Sequence, residues 1–256
     1  MLAADQVSVV MAAHNAAATL AEAVESIRAQ TMRDWKLIVV DDASRDQTSE
    51  LLTAFEREDS RIRVLRLEVN RGLAYCLNLA ISESSGEFIA RMDSDDVALP
   101  DRLRAQLEFL TKHPEVDVLG TAAEIIGNGT IGRKLLVHPE GHDELAKQIY
   151  RRNPFIHPSV MFRRSYIQKV GGYSTELRRA QDYDLWLRSY KQFRFHNLQE
   201  PLMKYRAPRA PTLRNVAYSS RVIWKAVSRE RCWVSKGWYT VRPFFAYAWS
   251  RVGARS

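Results

Sequence analysis

Only two cysteines occur in 256 residues, Cys76 and Cys232, far apart and with no pair spacing. A disulfide framework and a cysteine-built zinc site are therefore not expected. Cys76 sits in an apolar helical run with Leu73, Leu77, Ala80 and Ile81, which suits core packing. No uninterrupted apolar stretch approaches the roughly 18 residues that a spanning helix needs. Residues 1–20 lack a basic start followed by an apolar block, so no secretory signal is expected and a cytoplasmic location is. No glycine-rich loop follows the first strand-like run, where Ala12-Ala13-His14-Asn15-Ala16 stands instead.

Apolar residues make up 46% and charged residues 27%, an ordinary globular balance long enough for one large domain or a domain plus a tail. The net charge of +8 is unevenly placed. Residues 202–256 hold 12 Lys or Arg against a single acid, Glu230, whereas residues 1–201 hold 26 basic and 29 acidic groups. The last fifth of the chain also carries 10 of the 25 aromatic residues, among them Trp224, Trp233, Trp238 and Trp249. A basic, aromatic-rich segment suits an anionic membrane surface better than nucleic acid. It serves equally if its aromatics pack inward and its arginines are merely solvated.

From Val7 the chain alternates strand-like and helix-like segments. Val7–Met11, Leu37–Val40, Ile62–Leu67 and Glu87–Met92 are short apolar runs suited to buried strands. Helical spacing fills the gaps at 20–27, 47–58 and 72–84, and again after Pro100 through Leu103, Leu107 and Leu110. Val116–Gly120 reads as a fifth strand. The alternation predicts an α/β protein with a mostly parallel central sheet and flanking helices. Beyond residue 120 the rhythm weakens. Gly127, Gly129 and Gly132 suggest a hairpin, Pro158–Phe162 another strand, and 181–191 a helix with Leu185, Trp186 and Leu187 inside. Pro208 and Pro211 mark a linker, 213–232 a helix, and Pro243 the start of a last short helix.

Asp93-Ser94-Asp95-Asp96 closes the fourth apolar run. Three carboxylates in four residues repel one another, by about 3 kcal/mol per pair at roughly 6 Å and an effective dielectric near 20. A hard divalent cation with oxygen ligands would relieve that cost, and strand ends in open α/β sheets are where ligands bind. The tetrad alone serves equally as a solvated turn before the helix that Pro100-Asp101 begins. Asp41-Asp42 ends the second strand, where a carboxylate can accept hydrogen bonds from a nucleotide, while Ser44 or Asp46 could cap the following helix. Arg71, before another helix, can reach a diphosphate or stand exposed. Gln181-Asp182-Tyr183-Asp184 places acids on a helix anchored by Trp186, a setting for a general base or simply for a favourable helix dipole.

Four segments in this order, VSVVM with His14-Asn15, VVDDASRDQT, NRGLAYCLNLAISESSGEFIARMDSDD and QDYDLWLR, resemble the family 2 glycosyltransferases of bacteria. Those enzymes have the GT-A fold and build surface polysaccharides. The likeness covers roughly residues 5–206, which it makes one GT-A domain with a donor half to about 120 and an acceptor half from 121. Residues 207–256 form a basic helical extension.

The resemblance implies a metal-dependent, inverting transfer of a hexose or N-acetylhexosamine from a nucleotide-diphosphate sugar, most simply a UDP-sugar. The acceptor it implies is a lipid-linked or growing polysaccharide at the inner face of the plasma membrane. Ala12, His14 and Asn15 would border the nucleobase and Asp42 the uracil or ribose, with Arg71 near the diphosphate. Asp93 and Asp95 would be the DxD pair, with Asp95, Asp93 and Asp96 around Mg²⁺ or Mn²⁺. Asp182 would be the general base. His157, Gln181 and Trp186 would lie on the acceptor side. The chain departs from the family in carrying His14 where relatives have an aromatic, and in lacking a histidine after Tyr205-Arg206. Arg206 or Arg209 would supply the positive charge instead. Two other classes remain open at this point: a nucleotidyltransferase, disfavoured by the missing glycine-rich loop, and a non-enzymatic basic module binding nucleic acid or membrane.

Overall fold

The computed structural model describes residues 6–127, 134–207, 213–230 and 237–240. Strands β1 (Val7–Ala13), β2 (Trp35–Asp41), β3 (Ile62–Arg66) and β4 (Phe88–Asp93) alternate with helices α1 (Leu20–Arg28), α2 (Thr48–Glu58) and α3 (Leu73–Ser82). Their strand order is β3-β2-β1-β4, all parallel. These strands are mostly apolar because helices cover both of their faces. Period-two alternation splits them between two cores. Val10, Ile38, Val40 and Ile89 pack with α3 residues Ala74, Leu77 and Ala80. Val9, Met11, Leu37, Val39 and Ala90 pack on the other face with Leu20, Val24 and Ile27 of α1 and Leu52 of α2.

Strand order reverses direction at β1, between β2 and β4. In a doubly wound sheet the crevice at that switch point, beyond the carboxyl ends of the strands, is the expected ligand site. Register places the acids there: Ala12 lies opposite Asp93 across β1–β4, and Ala13 opposite Asp41 across β1–β2.

Beyond β4 come β5 (Val97–Ala98), α4 (Arg102–Lys112), β6 (Val118–Ile126), β7 (Lys134–Leu136), α5 (His142–Gln148), β8 (Met161–Arg163), α6 (Arg164–Val170), α7 (Gln181–Ser189), β9 (Phe195–Arg206) and α8 (Leu213–Arg229). The sheet continues β4-β8-β6-β9-β5, with antiparallel pairs except for β6–β9. A mostly parallel core therefore joins a mixed second half. The β6–β7 pairing confirms a hairpin after Gly127, whose turn, with Gly129 and Gly132, lies outside the described residues.

Three elements differ from expectation. Pro158 stands in a 3₁₀ turn (His157–Ser159) and the strand begins only at Met161. The Ser159 hydroxyl donates to the Ile156 carbonyl at 2.8 Å, which holds that turn. Twelve-residue β9 carries polar residues and Pro201, a poor strand signature, and Pro201 falls where the β6 register shifts. Helix α8 packs inward through Val222, Ile223, Ala226 and Val227, which join the core around α7. The short helix expected after Pro243 lies outside the described residues. Among them no helix is long and apolar enough to cross a membrane.

Candidate active site

Three loops meet over the carboxyl ends of β1, β2 and β3, stitched together mostly by hydrogen bonds from backbone amides. The Asn15 amide donates to Ser44 Oγ (3.0 Å), the Ala16 amide to Thr48 Oγ1 (2.8 Å) and the Ala17 amide to Asp46 Oδ2 (3.1 Å). His14 Nδ1–H donates to the Asp42 carbonyl at 2.7 Å, which leaves Nε2 to accept from the Asn15 side chain at 3.1 Å. Between these loops lies a cavity of about 570 Å³ lined by His14, Asn15, Ala43, Ser44, Arg45 and Asn70, among others.

Asp42 is 4% exposed, and its carboxylate accepts from the Arg71 amide (2.6 Å) and the Gly72 amide (2.8 Å). Gly72 has φ of 85°, a conformation glycine adopts without strain, and this turns both amides toward Asp42. Asp42 therefore builds the cavity wall from behind. Arg71 is exposed, lies over the Tyr75 ring and lines a groove at the start of α3.

At the end of β4, Asp93, Asp95 and Asp96 bring one oxygen each within 4.8 Å of one another. Burial first, then the Asp93 charge, pushes the Asp95 carboxyl up and the Asp96 carboxyl up to about 7. Asp96 Oδ1 accepts from the Arg206 amide at 2.7 Å, while its buried Oδ2 has no partner. An all-carboxylate set with a buried orphan oxygen and mutual repulsion fits a hard divalent cation such as Mg²⁺ or Mn²⁺. Arg206, brought here by β9, also donates from Nε to the Asp95 carbonyl at 2.9 Å. Arg209 lies outside the described residues.

A larger cavity of about 720 Å³ opens on the other side of Asp93. Asp93, His157, Gln181 and Asp182 all line it, so the strand end and the start of α7 face one space. Asp182 Oδ2 accepts from Asn153 Nδ2 at 2.6 Å. Burial raises the Asp182 carboxyl, and the Asn153 bond opposes that rise. His157 Nε2 lies 3.0 Å from the Tyr173 hydroxyl, and burial holds its ring neutral. Gln181 is buried with its Oε1 unpartnered.

One expectation is corrected. Trp186 is fully buried and does not line the cavity; its indole packs against Phe155 and Phe195. Trp186 lies one helical turn beyond Asp182, where packing is deeper, and it is buried together with Tyr183, Leu185 and Leu187.

Several site residues carried no assignment from sequence. Arg91, 1% exposed in the middle of β4, pairs with Asp93 and leaves Nε and Nη1 without partners. A charge inside an apolar strand was the signal. Asn153 opens a segment, through Ser159, that resembles the family's acceptor-side stretch, but its bond to Asp182 had no signal because it spans 29 residues. The three non-glycine residues with positive φ among those described, Asn15, Ala43 and Ala180, all line these two cavities. Such strain collects where a site dictates the backbone.

The doubly wound sheet with acids at its switch point and a carboxylate across the cleft is the architecture of a GT-A enzyme. The chain matches the model of glycosyl transferase family 2 over residues 8–171 and belongs to that family. It is 38% identical over 206 residues to a Bacillus subtilis protein named as glycosyltransferase EpsE, covering 78% of this chain and 73% of that one. It is 33% identical to the O-antigen biosynthesis glycosyltransferase WbnJ of Escherichia coli, covering 79% and 80%. The fold superimposes on S. aureus TarS in complex with UDP at a TM-score of 0.70 and 21% identity, over 87% of this chain. The chain spans 65% of that structure's length. The family places the chain among enzymes of glycosyl transfer, which sets aside both the nucleotidyltransferase and the non-enzymatic module.

Proposed function

We propose that this chain transfers a hexose or N-acetylhexosamine from a nucleoside diphosphate, with UDP as the first candidate, to a hydroxyl of a lipid-linked or growing polysaccharide, with inversion. The observation that carries this is the shared cavity. Asp93 and Asp182 face one space, and Asp93 belongs to a carboxylate cluster whose oxygens lie within 4.8 Å.

The His14–Asn15 cavity takes the base, which Ala12 also borders, and Asp42 contacts uracil or ribose through lone pairs its loop bonds leave over. Arg71, at the start of α3, approaches the diphosphate as donor binds. Asp95, Asp93 and Asp96 would hold Mg²⁺ or Mn²⁺, which supplies neutralising charge to the diphosphate oxygens. Arg206 adds a fixed positive charge on the same side. Asp182, oriented by Asn153, takes the proton of the acceptor hydroxyl as that oxygen attacks the anomeric carbon, and the nucleoside diphosphate departs from the opposite face. A carboxyl raised by burial accepts a proton more readily than a solvated one. His157 and Gln181 position the acceptor sugar.

Relatives support the finer terms. One E. coli relative, 31% identical over 172 residues, is named as a UDP-Gal:alpha-D-GlcNAc-diphosphoundecaprenol beta-1,3-galactosyltransferase. A mannosyltransferase of Pyrobaculum calidifontis with TM-score 0.66 was solved with GDP-Man and Mn²⁺. The outer face of α8 exposes Trp224 and Leu213 beside Arg221, which suits peripheral contact with an anionic inner leaflet.

Calorimetry with a panel of UDP- and GDP-sugars, with Mn²⁺ or Mg²⁺, tests the reading. Wild type binds at least one donor in a metal-dependent manner, and Asp95→Ala loses that dependence. Failure of every nucleotide to bind sinks the proposal.

A further inference from the structure

The larger cavity has more positive charge than its chemistry needs. Five arginines line it, against two carboxylates, Asp93 and Asp182. Arg91 on the floor is answered by Asp93, and Asp182 is held by the neutral amide of Asn153. The other four stand as two consecutive pairs on separate segments: Arg151-Arg152 after α5, and Arg178-Arg179 before α7. All four are exposed, yet the fold brings both pairs to one rim. Arg152 and Arg178 have no ion-pair partner among the described residues.

Two further observations argue that the rim is built. Ala180 holds φ at 57°, which fixes the turn between Arg179 and Gln181 in a conformation few alanines adopt. Arg151 is anchored, with Nε donating to the Tyr239 hydroxyl at 3.3 Å and its guanidinium over that ring. A neutral saccharide is recognised by carboxylates, amides and aromatic faces, and gains nothing from surplus guanidinium charge. Four planar forks suit a group with many charged oxygens, which a phosphoryl ester offers and a single carboxylate does not.

Resting on the glycosyl-transfer reading of this site, we propose that Arg151, Arg152, Arg178 and Arg179 form an anion subsite on the acceptor side of the cavity. It holds a phosphate or diphosphate ester carried by the acceptor, and so sets the distance from that group to the hydroxyl facing Asp182. Leu73, Tyr150 and Ile223 of α8 give the same cavity an apolar wall, suited to the hydrocarbon that such an ester carries. Helix α8 is thus part of the acceptor site.

The test titrates farnesyl diphosphate into the full chain with Mn²⁺ and UDP saturating, or GDP where the panel selects it, so that the donor subsite is filled. Parallel arms use farnesol, inorganic phosphate and phosphatidylglycerol vesicles. Wild type binds farnesyl diphosphate, and farnesol at least about tenfold more weakly. Arg152→Ala/Arg178→Ala weakens the diphosphate by about tenfold or more, as expected for lost charge-assisted bonds, with nucleotide affinity unchanged. Arg152→Lys/Arg178→Lys recovers part of the loss. Equal binding of farnesyl diphosphate by wild type and the alanine variant overturns the subsite. So does a loss confined to the vesicle arm, which would give the arginines to the bilayer surface. Absence of nucleotide binding in wild type sinks the glycosyl-transfer reading itself, and the subsite with it.

Discussion

The two ends of this sheet position chemistry by different means. In β3-β2-β1-β4, backbone register does the work: parallel ladders bring Ala12 opposite Asp93 and Ala13 opposite Asp41 before any side chain is considered. In β8-β6-β9-β5, short or bulged strands leave the placement to single contacts, such as Asn153 to Asp182 and His157 to Tyr173. Register is collective and resists substitution, whereas a single contact is lost with one residue. Under the proposed function the donor side is therefore the rigid reference, and the acceptor side is where one substitution can retune the reaction. Asp182→Asn breaks the comparison at its strongest point. The amide cannot take a proton, so kcat falls by about 10²–10⁴-fold while calorimetric donor affinity stays within about twofold. Equal turnover by this variant would remove Asp182 from its role.

Trp186→Ala asks whether the acceptor side is held from inside. With its indole fully buried among Phe155, Phe195 and Tyr166, truncation leaves a cavity and costs about 3–5 kcal/mol of stability. Thermal and denaturant unfolding read that loss directly. At temperatures where the variant remains folded, acceptor KM changes little, because the side chain does not line the cavity. A large KM change with unaltered stability would return Trp186 to the acceptor site.

Legibility in the sequence follows the same division. Apolar runs of four to seven residues separated by helical spacing are local signals, and β1 to β4 with α1 to α3 stand where those signals put them. The acid tetrad was legible because three like charges ending a buried strand are physically awkward. Strand β9 was not, since its stability comes from pairing with β6 across more than 70 residues, and no local pattern records that. Asp182 was legible as a first-turn acid on an anchored helix; its bond to Asn153 was not, because it joins residues 29 apart in sequence. Trp186 shows the limit of motif logic, because sharing a helix face with a site residue one turn away does not bring a side chain into the site when it is buried in the core.

Asn153→Ala sharpens the comparison by removing one contact of the acceptor side. Its amide donates to the Asp182 carboxylate and so opposes the upward push of burial. Without it the Asp182 carboxyl rises further. The base acts deprotonated, so the acid limb of the kcat/KM profile moves to higher pH and activity at fixed pH falls by about tenfold. A purely structural loss would lower the whole profile without moving the limb.

The smallest effect is expected on the donor side, at His14. Its ring links the Asp42 carbonyl to the Asn15 side chain, but the same loop keeps three further bonds, to Ser44, Thr48 and Asp46. His14→Ala should therefore weaken donor binding by only about 3–10-fold, the worth of one or two hydrogen bonds, with kcat unchanged. His14→Phe then separates two contributions. Phenylalanine restores an aromatic face and no hydrogen bond, so recovered affinity assigns the residue to stacking on the base, whereas affinity equal to the alanine variant assigns it to holding the loop. A loss beyond about a hundredfold in either variant would show that the donor side, too, hangs on a single contact.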